Sequence, residues 1–144
     1  PDGTLADKDV EILHKLADWM RVNDECIHGT GLWRINQEGP TKIQEGQFAD
    51  GASRNFTSED FRFTCRGGNI YAACMACPAD GKLHIRSLRE ADASHLPLWH
   101  GIVRNVEVLG NPAQAAWTRD GEALHVDLGD YQSDMPVVVK IITD

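Results

Sequence analysis

Helical periodicity occurs once in this chain, near its start, and does not return. At about 100° per residue, Val10, Ile12, Leu13, Leu16, Ala17, Trp19 and Met20 fall within roughly half a cylinder. His14, Lys15, Asp18 and Arg21 take the other half. Thr4-Leu5-Ala6-Asp7 has the Thr-x-x-acid form of a helix start, with Asp7, Asp9 and Glu11 near the positive end of the helix dipole, and Asn23 is a suitable stop. A helix lying on one surface needs an apolar stripe only about 100° wide. The broader arc predicts a helix with two neighbours, such as a sheet and a second helix.

After Asn23 the pattern becomes that of strands and turns. A loop punctuated by Gly31, Gly39, Pro40, Gly46 and Gly51 is expected from Gly29 to about Ser58. Phe61-Arg62-Phe63-Thr64-Cys65 then places Phe61, Phe63 and Cys65 on one face, Gly67-Gly68 turns the chain, and Ile70 to Ala76 returns. Asp80-Gly81 leads into Leu83–Arg86. Ile102 to Leu109 alternates, with Ile102, Arg104, Val106 and Val108 on one side. Asp120-Gly121 separates the segments 115–119 and 124–128, and residues 137–142 make a last strand. The expected fold is mainly β: an antiparallel β-sandwich of about seven to eight strands, preceded by one amphipathic α-helix.

Composition narrows the function classes. With 14 basic and 22 acidic residues the net charge is −8, and no Lys/Arg run offers a phosphate-tracking surface, so nucleic acid is not an expected partner. The apolar run around Met135–Val139 is far too short to span a bilayer. The cysteines at 26, 65, 74 and 77 are too irregular for a disulfide scaffold. Cys74 and Cys77, three apart on a strand, point to opposite faces, which favours thiols packed as small apolar groups. A thiol-metal site using Cys65, Cys74 and Cys77 with His84 is a weaker reading. No His-x-x-x-His spacing is present, and neither a cofactor nor a metal is expected.

Several motifs occur together in order: Asp18-Trp19-Met20-Arg21-Val22-Asn23-Asp24-Glu25-Cys26-Ile27-His28-Gly29-Thr30, then Phe56-Thr57-Ser58-Glu59-Asp60-Phe61-Arg62-Phe63-Thr64. Pro1-Asp2-Gly3-Thr4-Leu5 precedes them. Tyr71-Ala72 through Pro78-Ala79-Asp80-Gly81, and Val106-Glu107-Val108-Leu109-Gly110, follow them. These segments resemble the C-terminal region of α-L-fucosidases of glycoside hydrolase family 29, notably its G-x-W-L-x-V-N-G-E-A-I-Y-G-T and F-T-x-E-D-I-R-F-T stretches. Asp24 stands where the family has Gly, His28 where it has Tyr, and Cys77 where an aromatic is common.

The resemblance implies a catalytic barrel upstream, with residues 1–30 as the last barrel helix and junction loop and residues 31–144 as a C-terminal β-sandwich. It also implies a parent enzyme that removes terminal α-L-fucosyl groups with retention, in a secreted, periplasmic or lysosomal setting. Such catalysis needs two carboxylates about 5–5.5 Å apart. No motif for the nucleophile occurs here, so no catalytic residue is assigned, and the chain is expected to be a non-catalytic accessory domain. The alternative is a stand-alone carbohydrate-binding or adhesion sandwich.

Single residues carry further expectations. Glu25 is expected to pin the helix-to-sandwich junction rather than to rim a cleft. Glu59-Asp60 should pair with Arg62, with Thr57 capping a turn. Trp19 and Trp117 are expected in the core and Trp33 at an interdomain junction. Trp99, within Ser94–His100, is the single substrate-binding candidate, for stacking on a fucosylated glycan, and otherwise covers one end of the sandwich. Asn55-Phe56-Thr57 is a glycosylation sequon. Detached from a barrel, the arc of Leu13, Leu16, Trp19 and Met20 should find cover from the sandwich or from a second copy of the chain.

Overall fold

The computed structural model describes residues 6–42, 55–94 and 96–144, so the expected roles of Thr4, Gly46 and Gly51 lie outside the described residues. Helix α1 spans Asp7–Asn23, with Ala6 at its N-cap position and Asp7 and Asp9 in its first turn. A short 3-10 turn, Asp24–Cys26, carries the chain away from it. The strands are β1 (Gly31–Glu38), β2 (Phe61–Arg66), β3 (Asn69–Cys74), β4 (Lys82–Ile85), β5 (Val103–Val108), β6 (Ala116–Arg119), β7 (Leu124–Asp127) and β8 (Val137–Thr143). They form a five-stranded sheet in the order β1-β2-β3-β8-β5 and a three-stranded sheet in the order β4-β7-β6, with antiparallel pairing throughout. The fold is the mainly β sandwich with one preceding helix that the alternation predicts.

Period-2 alternation accounts for the core. Phe61 and Phe63 on β2, Ile70, Ala72 and Cys74 on β3, and Val137, Val139 and Ile141 on β8 point inward. Leu83, Ile85, Leu124 and Val126 meet them from the smaller sheet. Their removal from water, at about 25 cal/mol per Å² of apolar surface, is the main favourable contribution to the fold. A second cluster, Cys26, Tyr71, Leu109 and Val138, lies on the opposite face of the larger sheet, where the 3-10 turn and the end of α1 cover β3 and β8. This explains the unbroken buried run Val137-Val138-Val139: β8 is covered on both faces.

Three expectations change. The Gly-punctuated segment contains β1, which places Trp33 and Ile35 against the core and leaves Leu32, Arg34 and Asn36 exposed. Its pairing with β2 jumps from Leu32↔Thr64 to Gln37↔Arg62, an irregularity that hides the strand in a loop-like sequence. In β5 the register shifts between Val103 and Asn105. Ile102 and Arg104 are therefore exposed and do not share the buried face of Val106 and Val108.

The helix departs furthest. Residues 6–18 are all exposed, with Ile12, Leu13 and Leu16 at 54, 51 and 46%. Only Trp19, Met20 and Asn23 gain substantial cover. The sandwich covers only the Trp19–Met20 end of the apolar arc.

Candidate functional site

The junction between α1 and the larger sheet is built from a few specific contacts. Trp19 is half-buried, and its indole Nε1–H donates to the Pro136 carbonyl at 2.7 Å. Val22 packs on Gly110, whose backbone φ is +82°; a Cβ there would lie 2.6 Å from Val22 Cγ1. Glycine is therefore required at position 110 on two grounds, conformation and close approach. Lys15 reaches Asp134 at 3.5 Å.

Glu25 then ties the 3-10 turn to the sheet. Its Oε2 accepts from Lys140 Nζ at 2.8 Å and from the Tyr71 hydroxyl at 3.0 Å. The hydrogen bond from Lys140 holds the Glu25 carboxyl below the usual carboxylate range, burial opposing it, and raises Lys140 in turn. Thr64 adds a 2.7 Å bond to the Cys26 carbonyl. Glu25 thus holds the junction together, the structural role its position suggests.

A hollow of about 390 Å³ opens at one end of the sandwich, between the β2–β3 turn and Trp99. Gly31, Trp33, Arg66, Ile70, Thr143 and Trp99 contribute to its wall. Trp99 packs edge-on to Trp33 with ring centroids 6.3 Å apart, and the Arg119 guanidinium stands 5.1 Å from its centroid. Any side chain at Gly101 would overlap the Trp99 ring. Arg119 also donates to the carbonyls of Leu88 (2.5 Å), Gly101 (2.9 Å) and Arg89 (3.1 Å), tying the chain on both sides of Trp99 to β6. Trp99 therefore covers one end of the sandwich and also presents part of its ring to the hollow. Arg119, which holds it, carried no signal in the sequence, because its carbonyl partners are 18–31 residues away.

Solved structures share this architecture. The fold is that of one part of α-L-fucosidase structures. The chain matches Thermotoga maritima alpha-fucosidase in complex with a mechanism-based inhibitor with a TM-score of 0.64 at 21% identity, covering 98% of this chain and 28% of that one. It matches the same enzyme in complex with fucose at a TM-score of 0.63 and 21% identity, with the same coverage. A further alpha-L-fucosidase matches at 0.64 and 19% identity, over 98% of this chain and 27% of that one. The chain thus spans little more than a quarter of the length of these structures. No family model and no curated protein matches the sequence. The likeness carried by the Asp18–Thr30 and Phe56–Thr64 stretches holds at the level of fold.

Other residues fall as follows. Trp33 is 8% exposed and packs on Phe63 at 5.3 Å within the sandwich core, because β1 carries it inward. Trp117 is half-buried against the same core. Glu59 pairs with Arg86 at 2.7 Å rather than with Arg62, whose guanidinium lies over the Phe56 ring. Asp60 is fully buried and accepts from the backbone and hydroxyl of both Thr41 and Thr57. Burial pushes its pKa up, but these hydrogen bonds outweigh it and bring it to about 2. Asn55 is exposed.

The thiol set does not assemble. Cys74 faces the core and bonds the Ala76 carbonyl at 3.1 Å, Cys77 reaches Gln132 at 3.6 Å, and His84 lies on the exposed face of β4. Burial raises Cys26 and Cys74 to about 11, far from the thiolate form. Among the described residues, no three His, Cys, Asp or Glu side chains are grouped to hold one metal ion.

Proposed function

We propose that this chain is a non-catalytic accessory region of an α-L-fucosidase-like glycoside hydrolase. Residues 31–144 form its sandwich, and residues 1–30 belong to the surface that meets a catalytic barrel of the same polypeptide. The observation that carries this reading is the uncovered apolar face of α1. Ile12, Leu13 and Leu16 form a contiguous strip about half exposed, the kind of surface that marks an interface. Its C-terminal end is meanwhile fixed to the sandwich by Trp19 and Val22, and the 3-10 turn that follows by Glu25. A helix so anchored and so bare is suited to dock a second body. The shared fold with a quarter-length part of fucosidase structures supports the identity of that body.

In this reading the substrate of the whole protein is a terminal α-L-fucoside. Trp99, at the open hollow beside Arg66, is where the sandwich would touch the glycan. The test is hydrolysis of p-nitrophenyl-α-L-fucoside by this chain and by a polypeptide carrying it together with the barrel. Activity in the longer protein and none in this chain is expected. Turnover by this chain alone would overturn the accessory role.

A further inference from the structure

The outer face of the smaller sheet carries a side-chain pair that neither the junction nor the hollow uses. Strands β4 and β7 pair so that His84 stands directly opposite His125. Their neighbours Leu83, Ile85, Leu124 and Val126 are buried, so both imidazoles project from the opposite face. The two Nδ1 atoms are 2.7 Å apart, with ring centroids separated by 5.0 Å and planes inclined at 73°. At that distance one Nδ1 must donate and the other accept.

The donor is settled by the far side of His125. Its Nε2 lies 2.9 Å from the Asp120 carboxylate, which the hairpin turn fixes in place by backbone N–H bonds from Glu122 (2.8 Å) and Ala123 (3.0 Å). In the neutral ring the proton is therefore on Nε2, and His125 Nδ1 turns a bare lone pair toward His84. A carboxylate behind a histidine whose other nitrogen is free is the arrangement that orients imidazole ligands on metals. The two rings border a hollow of about 270 Å³, with Trp117, Thr118 and the ion pair Lys82–Asp127 beside them.

We propose that His84 and His125 form a surface chelate for a divalent transition-metal ion, Cu²⁺, Ni²⁺ or Zn²⁺, bound through both Nδ1 atoms, with water in the remaining positions. Imidazole nitrogens favour these ions over Mg²⁺ or Ca²⁺, and within the series affinity rises to Cu²⁺. Metal–nitrogen bonds of about 2.0–2.1 Å require nitrogens about 3 Å apart for the right-angled sites of Cu²⁺ and Ni²⁺ and roughly 3.4 Å apart for tetrahedral Zn²⁺, against 2.7 Å now. Each ring must also turn so that the two lone-pair directions, now set along the Nδ1–Nδ1 line, converge on the ion. The proton now on His84 Nδ1 moves to its Nε2 through solvent, so no net proton is released from the neutral pair. Bound metal would clamp β4 to β7.

Isothermal titration of the untagged chain with CuCl₂ and NiCl₂ at neutral pH tests this, with folding of each variant checked by its circular dichroism melt. One-to-one binding is expected. His84→Asn and His125→Asn should each weaken it about a hundredfold, by removing half of a two-point attachment. Asp120→Asn, which leaves both ligands in place, should weaken it about tenfold. His14→Asn and His28→Asn should change nothing. Absence of binding overturns the proposal, and so does binding that survives both His84→Asn and His125→Asn at unchanged affinity.

Discussion

Asp60 shows how a single buried carboxylate can organise a loop. Its oxygens gather the N–H and hydroxyl of Thr41 and of Thr57, joining the chain just after β1 to the chain just before β2. Because its folded pKa of about 2 lies below the ordinary 3.8, its contribution is present in full above about pH 4 and fades as pH falls through about 2. That difference corresponds to about 2 kcal/mol. Asp60→Asn should lower stability by roughly that amount at neutral pH in urea unfolding. The gap between variant and parent should close as the acid is titrated. A gap independent of pH from 7 to 2 would mean that the carboxylate charge is irrelevant. The Thr57-x-x-Asp60 half of this knot is readable as a local motif. The Thr41 half is not, since nothing in the intervening residues signals that two distant threonines will share one carboxylate.

Among elements, α1 and β1 set the limits of what sequence reveals. The 3.6-residue period identifies the helix and its apolar arc, yet period says only that a face wants cover, not what supplies it. Here the sandwich supplies cover to the last turn alone. Strand β1 fails as a pattern for the opposite reason: an irregular pairing breaks its alternation at an edge of the sheet. Hairpins with strong local turns, β2–β3 at Gly67-Gly68 and β6–β7 at Asp120-Gly121, are legible because a few adjacent residues decide them. The facing of His84 and His125 is illegible, since β4 and β7 are not consecutive. For α1, the pair of changes Leu13→Glu and Leu16→Glu should alter the stability of this chain by less than about 0.5 kcal/mol, because both residues are already half exposed. Sedimentation at rising concentration should show self-association of the parent chain that the double variant lacks. A large loss of stability would mean that the arc is covered after all.

For the whole molecule, the order of strands matters more than their number. Strand β8 lies between β3 and β5 and pairs with both, through Ile70↔Ile141 to Cys74↔Val137 on one side and Val103↔Thr143 to Val108↔Val139 on the other. It also contributes to the clusters on both faces of the sheet. Deleting residues 137–143 should abolish cooperative thermal unfolding altogether, rather than lower its midpoint, because it leaves β5 without a neighbour in the sheet and opens the core along its length. A sharp melt in the truncated chain would contradict this. During synthesis the same arrangement imposes a delay. Strands β1, β2 and β3 leave the ribosome well before their central neighbour and must wait with an unpaired edge and an open apolar face until residue 143 has emerged. Closure of the larger sheet thus comes only once β8 is free, and the growing chain depends for that interval on slow aggregation or on a chaperone's cover.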